Sequence, residues 1–205
     1  PCAAVTSSDA VLVVNQVVAI SAQPAATQTV CTGNSVSFSV TATGTGLSYQ
    51  WRKGLLNLTD GGSISGASTN TLTINPVAAG DAAADYNVVI TGTVPCAPVT
   101  SNNAALVVND AVVITSQPAA TQTVCSGSNV SFSVTATGTG LTYQWRKGST
   151  NLSNGGNISG TTTATLTLTG VLTTDAGSYN VVVSGASPCA AVTSSDAVLV
   201  VNQVV

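Results

Sequence analysis

Residues 130–145 read VSFSVTATGTGLTYQW. In VSFSVTA apolar and polar side chains alternate with a period of two, the pattern of a strand with one buried face. LTYQW then puts Leu141, Tyr143 and Trp145 on one face of another strand. The same stretch stands 94 residues earlier with a single change, as VSFSVTATGTGLSYQW at 36–51. Working outward, QPAATQTVC occurs at 23–31 and 117–125, and YQWRKG at 49–54 and 143–148. Late in the unit the offset falls to 93, because DAAADY (81–86) is one residue longer than DAGSY (175–179). Self-similarity at a fixed period marks a repeat protein, and two units of about 94 residues fill most of the chain.

The two ends match as well. PCAAVTSSDAVLVVNQVV occurs unchanged at 1–18 and 188–205, whereas the end of the first unit, PCAPVTSNNAALVVNDAV at 95–112, matches it only in part. Residues 1–18 are therefore expected to close a preceding repeat of the second kind. The implied array alternates two kinds of repeat with a period of 187 residues, and should continue beyond Val205 with a sequence close to AISAQPAATQTVC. The chain opens on Pro1 rather than Met and shows no leader, as a processed product or a fragment would. Left alone, AVLVV at 10–14 would expose an apolar strand edge. It is expected to be covered by the preceding repeat or by a neighbouring molecule.

Composition narrows the function. Only 5% of the 205 residues are charged, against about 25% in ordinary soluble domains, and the net charge is −3. Four basic residues, in the pairs Arg52-Lys53 and Arg146-Lys147, make no nucleic-acid footprint. No apolar run approaches the ~20 residues of a membrane span. An apolar content of 44% argues against disorder. There is no His and no Glu, and no pair of Asp recurs between the units, so general acid–base catalysis has few candidates. No enzyme and no cofactor is expected. Asn109 and Asp110 lie in one linker, but calcium takes six to eight oxygen ligands, and seven Asp spread along the chain are too few for such sites. The N-x-S/T triplets at Asn57, Asn129, Asn151 and Asn157 are what chance yields in a chain so rich in Asn, Ser and Thr.

Further strands are TLTI, TLTLTG, YNVVI and YNVVV, separated by turns such as TDGGSISG and SNGGNISG. No segment keeps helical periodicity for ten residues. The fold class is all-β: two tandem β-sandwiches preceded by a lone strand. The boundaries are 1–18 for the end of a preceding repeat, 19–112 for the first domain and 113–205 for the second. The linkers VVNQVVAI and VVNDAVVI contain no Gly, Pro or Ser and do not read as flexible. Pro24 and Pro118 follow them, where an edge strand breaks and changes sheets.

The run YQWRKG…DAGSYNVVV resembles the immunoglobulin superfamily, and in particular the Ig-like repeats of bacterial surface proteins. The resemblance implies a core tryptophan at Trp51 and Trp145 and a tyrosine corner at Tyr86 and Tyr179. DAAADY departs from the D-x-G-x-Y pattern, so the turn before Tyr86 is expected to differ. At the positions of the usual inter-sheet disulfide this chain has Val40 and Val88, then Val134 and Val181, and the core there is aliphatic. Five cysteines remain. Cys31 and Cys125 lie before the second strand of their repeats, and Cys2, Cys96 and Cys189 lie in PCA near the end of theirs. Their spacing suits no C-x-x-C metal or redox motif, so disulfides and an oxidising extracellular setting are expected. In an immunoglobulin sandwich these two turns lie at opposite poles, about 33 Å apart along a ten-residue strand, whereas a disulfide needs Cα atoms within about 7 Å. The resemblance thus favours Cys31–Cys189 between repeats, with Cys125, Cys96 and Cys2 reaching other repeats. Cys31–Cys96 and Cys125–Cys189 within repeats are the alternative.

The expected function is a structural extracellular repeat: a stiff rod, stalk or filament segment of a bacterial surface protein, whose partners are neighbouring repeats and, in a fibre, other copies. The alternative is an adhesin that binds glycan or protein through the variable turn, GLLNLTDGGSISGASTN (54–70) against GSTNLSNGGNISGTTTA (148–164).

Overall fold

A computed structural model describes residues 2–203; Pro1, Val204 and Val205, at the ends of the expected segments, lie outside them. The first repeat runs β1 Ala19–Ala22, β2 Thr27–Cys31, β3 Val36–Ser39, β4 Thr41–Thr43, β5 Ser48–Lys53 and β6 Leu56–Asn57, then β7 Ile64–Ser65, β8 Thr71–Ile74, β9 Ala83–Thr91, β10 Val99–Thr100 and β11 Ala104–Asn109. The second repeats the order: β12 Val113–Ser116, β13 Thr121–Cys125, β14 Val130–Ser133, β15 Thr135–Thr137, β16 Thr142–Lys147 and β17 Thr150–Asn151, then β18 Ile158–Ser159, β19 Thr165–Leu168, β20 Gly177–Ser184, β21 Val192–Thr193 and β22 Ala197–Asn202. In each repeat one sheet has six strands, ordered β2-β11-β9-β5-β6 and β13-β22-β20-β16-β17, with β10 and β21 on the flanks of β9 and β20. The facing strands are β3-β8-β7 with β1-β4, and β14-β19-β18 with β12-β15. The fold is all-β, with immunoglobulin-like sheets and no α-helix among the described residues.

Two expected strands divide. VSFSVTA is not one strand, because β3 pairs with β8 whereas β4 pairs with β1. Between them Val40 is buried, and its N–H donates instead to Asn70 O, at 3.0 Å. The opening strand also divides, into β1 and β2 in different sheets, around Pro24. Proline has no N–H to offer a ladder and is tolerated where a strand leaves its partner. On its second sheet the strand runs parallel to the last one: β13 pairs with β22 from Thr121↔Val198 to Cys125↔Asn202.

Trp51 and Trp145 are fully buried, as are Val88 and Val181, their partners across the β5–β9 and β16–β20 ladders. Each indole N–H reaches a backbone carbonyl, Thr69 O and Thr163 O, both at 2.9 Å. Phe38 and Phe132 stack on Tyr86 and Tyr179 with centroids 5.3 Å apart and lie tilted to the tryptophans at 6.4 Å. Val134 and Val181 share one buried cluster with Trp145 and Leu199. A buried aliphatic side chain contributes about 1.5–3 kcal/mol.

The turn before the tyrosine is built alike in both repeats. Asp81 and Asp175 each end a short 3-10 turn and accept the N–H of Ala78 and Leu172, at 2.8 Å. The extra residue of DAAADY falls between Asp81 and Tyr86, where β9 is nine residues long against eight for β20. From Lys53↔Tyr86 and Lys147↔Tyr179 onward the registers coincide. The expected difference is thus confined to the few residues before the ladder begins.

Residues 2–17 carry no strand in this chain. Val5, Val11, Leu12, Val13 and Val14 are all more than 70% exposed. A strand is a pairing, and among the described residues no strand pairs with residues 2–14.

Candidate functional site at the linker seats

Residues 15–18 and residues 109–112 each settle into a seat within their own compact unit. In the second seat Asp110 N donates to Thr139 Oγ1 at 2.8 Å, and Thr139 N returns a bond to Asp110 O at 3.2 Å. Asn109 Nδ2 donates to Ser187 O at 3.0 Å. Glycines hollow out the seat. A Cβ on Gly138 would stand 3.2 Å from Ala111 O and from Val112 Cα, and one on Gly185 would stand 2.8 Å from Val112 Cγ2. Val112 is buried there. Thr32 N donates to Asn109 O at 2.9 Å, and Ala111 N donates to Thr32 Oγ1 at 3.0 Å. Thr29–Ser35 and Asn75–Ala82 accordingly belong to the same compact unit as Leu106 onward.

A disulfide closes this arrangement. Cys31 and Cys189 are joined, with Cα atoms 5.5 Å apart and 158 residues between them in sequence. Cys31 is 3% exposed, and Cys189 Sγ lies 3.7 Å from Asp110 O. With these two joined, neither Cys31–Cys96 nor Cys125–Cys189 is formed, and Cys2, Cys96 and Cys125 are free thiols.

The first seat repeats the second, with residues 15–18 in place of 109–112. Gln16 N donates to Thr45 Oγ1 at 2.8 Å, Thr45 N to Gln16 O at 3.2 Å and Asn15 Nδ2 to Val94 O at 3.3 Å. Gly44 and Gly92 leave room for Val17 and Val18 as Gly138 and Gly185 do for Ala111 and Val112. Cys96 Sγ lies 3.6 Å from Gln16 O, the relation Cys189 has to Asp110. At the far end Ser126 N donates to Asn202 O at 2.8 Å, as Thr32 N does to Asn109 O.

Of Asn109 and Asp110, weighed above as cation ligands, Asn109 donates its side-chain amide to Ser187 O and Asp110 donates its backbone N–H to Thr139 Oγ1. Among the described residues no three His, Cys, Asp or Glu stand together. Arg52 and Arg146 donate Nε to Asn57 and Asn151 across the neighbouring strand pair, at 2.9 and 2.8 Å. Lys147 Nζ donates to Thr174 O at 2.8 Å, and Lys53 and Lys147 lie 5.8 Å over the rings of Tyr86 and Tyr179. Tyr179 OH donates to Asp175 O at 2.6 Å, the tyrosine corner of the second repeat. Burial, and then the charge of Asp175, push its phenol up from 10.0 to about 12. In the variable turn of the first repeat an open hollow of about 270 Å³ is lined by Gln50, Leu58, Thr59, Asp60, Ala67 and Ser68.

The seat residues Thr45, Thr139, Gly92 and Gly185 were not singled out from the sequence. Their signal was the recurrence of TGTG, and of a glycine just before each later PCA, at matching places in both repeats.

Residues 113–184 match a family model of the immunoglobulin domain. No curated protein sequence matches the chain. Among solved structures it is similar to an I-band fragment of titin, at TM-score 0.68 and 19% identity over 91% of this chain and 66% of that one. It is also similar to extracellular domains 3–5 of Drosophila OTK, at 0.71 and 20% over 90% and 62%, and to Sidekick-1 immunoglobulin domains 1–4, at 0.69 and 18% over 92% and 49%. The chain spans less than two thirds of the length of each. At these identities the likeness is one of fold. Among the described residues no helix is long and apolar enough to cross a membrane.

Proposed function

We propose that this chain is a structural, non-catalytic extracellular repeat: a stiff rod, stalk or filament segment of a bacterial surface protein. Its domains are 19–112 and 113–205, with 1–18 closing the repeat before them. The observation that carries the reading is the Cys31–Cys189 disulfide, set over a seated linker without Gly, Pro or Ser. Chain, seat and disulfide then hold each repeat to the next, and stacked repeats make an extended object through nearest-neighbour contacts. The disulfide supports an oxidising compartment. A chain with only 5% charged residues offers little repulsion to lateral packing.

Negative-stain images of the native material test it. A regular fibre with a two-domain repeat is expected, and isolated monomers would overturn the filament. Non-reducing digestion should yield Cys31 joined to Cys189, and recovery of Cys31–Cys96 instead would remove the covalent link between repeats.

One observation favours the adhesin reading. The variable turn of the first repeat carries the 270 Å³ hollow and exposes Leu55 at 91% and Leu56 at 77%. The matching positions in the second repeat are Ser149 and Thr150. A glycan screen with specific binding, lost in Asp60→Ala, would support it.

A further inference from the structure

Asn154–Gly155 is the only Asn-Gly pair in the chain, and its counterpart 94 residues earlier, Asp60–Gly61, is the only Asp-Gly pair. Both pairs stand in the variable turn, between β17 and β18 and between β6 and β7. Asn154, Gly155 and Gly156 are exposed. A Cβ on Gly155 would meet nothing within 4 Å, so no neighbour shields the backbone there.

The asparagine side chain is nevertheless held. Asn154 Oδ1 accepts the N–H of Thr161 at 3.0 Å and the hydroxyl of Thr161 at 2.9 Å. Thr161 is 2% exposed, and its carbonyl accepts Trp145 N at 2.9 Å, which ties both donors to the core strand β16. In the first repeat Asp60 Oδ1 accepts Ala67 N at 2.7 Å, and Ala67 has no hydroxyl to add. Two fixed donors on one carbonyl oxygen polarise its carbon and stabilise negative charge that develops on the oxygen. Asparagine is among the thermolabile residues, and the nitrogen that follows this one belongs to a residue without a side chain.

We propose that Asn154 is a site of spontaneous deamidation, with Thr161 acting as its oxyanion hole and aspartate as its main product. The Gly155 nitrogen loses its proton to water and attacks Asn154 Cγ, closing a five-membered ring. Charge develops on Oδ1, between the two Thr161 donors. The Cγ–Nδ2 bond then breaks, and Nδ2 takes up a proton and leaves as ammonia, so that a succinimide remains. Water adds to Cγ, placing charge on Oδ1 again, and the bond from Cγ to the Gly155 nitrogen breaks as that nitrogen regains a proton. In sum, asparagine and water give aspartate and ammonium, with no oxidant or reductant.

One bond must open first. Gly155 N donates to Ile158 O at 2.9 Å, in a single bridge rather than a ladder. Attack of water at the main-chain carbonyl of the ring gives isoaspartate instead. That route dominates in an unfolded chain, where the adjoining amide nitrogen makes this carbonyl the more electrophilic one. In the folded turn the Thr161 donors activate the other carbonyl. The product also fits, since Asp60 already holds the equivalent bond in the first repeat. Deamidation adds one carboxylate to a chain that has seven Asp and no Glu, and gives the second variable turn the charge of the first. The chemistry does not depend on either functional reading.

The test keeps one sample of the full chain folded at mildly alkaline pH and another reduced and unfolded in urea at the same pH. After trypsin, fragment 148–205 is read by electron-transfer mass spectrometry, which separates aspartate from isoaspartate. In the folded sample Asn154 should convert faster than in the unfolded one and ahead of Asn151, Asn157 and Asn180, and yield mostly aspartate. The unfolded sample should yield mostly isoaspartate. Thr161→Ala should slow the folded conversion about fivefold, the worth of one net hydrogen bond, and shift its product toward isoaspartate. Thr161→Val, which keeps the volume without the hydroxyl, should do the same, whereas Thr161→Ser should keep the parent's rate and product. Rates in urea should be equal for all four chains, which separates loss of the donor from loss of the fold. An unchanged folded rate in both Thr161→Ala and Thr161→Val would overturn the oxyanion role. Slower conversion of Asn154 in the folded parent than in urea would overturn the proposal, because the turn would then protect the site.

Discussion

The same eighteen residues stand at both ends of this chain, and the parts described in both copies, 2–16 and 189–203, have two structures. At 197–202 they form a strand with alternate side chains buried; at 10–15 they form none. Leu199 is 1% exposed and Leu12 87%. Cys189 is bonded and Cys2 is free. Composition, alternation and β-propensity are identical, so none of them makes the strand. What differs is a groove with β13 on one side and β20 on the other. Strand propensity measures fit to a half-buried surface rather than an intrinsic backbone preference, and here the surface is present at one end and lacking at the other.

The sharpest way to break the comparison is to truncate its buried member. Leu199→Ala should destabilise the second repeat by about 2–5 kcal/mol, as buried Leu→Ala changes do, read as a lower denaturation midpoint. Cys189→Ser comes next, with an expected loss of about 2–4 kcal/mol, whereas Cys2→Ser should leave unfolding unchanged. A third change touches the strand beside the groove. Tyr179, paired with Ala197 across the ladder, binds Asp175 O through its hydroxyl, and Tyr179→Phe should cost about 0.5–1.5 kcal/mol.

The pH dependence follows from the same hydroxyl. The folded state keeps the phenol proton up to about 12, whereas the unfolded chain releases it near 10.0. Above pH 10 the folded state binds more protons than the unfolded one, so stability falls from about pH 10 to about 12. That decline should be shallower in Tyr179→Phe, as urea midpoints across the range would show. The smallest effect belongs to the exposed member: Leu12→Ala should shift monomer stability by no more than about 0.5 kcal/mol. A loss comparable to Leu199→Ala would mean that residues 10–14 already have a partner.

Much of the fold was legible because repetition removes ambiguity. VSFSVTA, YQW and YNVV each occur twice; alternation marked the first two as strand sequence and the apolar run marked the third. The break at Val40 was not legible, since alternation runs through it without a fault; only two sheets competing for one strand divide it. The aromatic core was half legible. Trp51 and Tyr86 stood out by type, whereas Phe38 emerged as the ring between them only after folding. Of the seat, the cysteine classes were visible, but not Thr45, Thr139, Gly92 or Gly185. Their roles depend on what approaches them, and a glycine that makes room for a chain looks in sequence like any turn glycine.

By itself the sequence determined the all-β class, the repeat and its period, the two kinds of cysteine and the scarcity of catalytic groups. These follow from local pattern and composition, which a chain carries whether or not it is folded. Tertiary structure decided which sheet each half of a broken strand joins, that Cys31 meets Cys189, and that one copy of AVLVVN is a strand while the other is not. Those outcomes depend on distances between residues far apart in the chain, and no local pattern encodes a distance until the partner is in place.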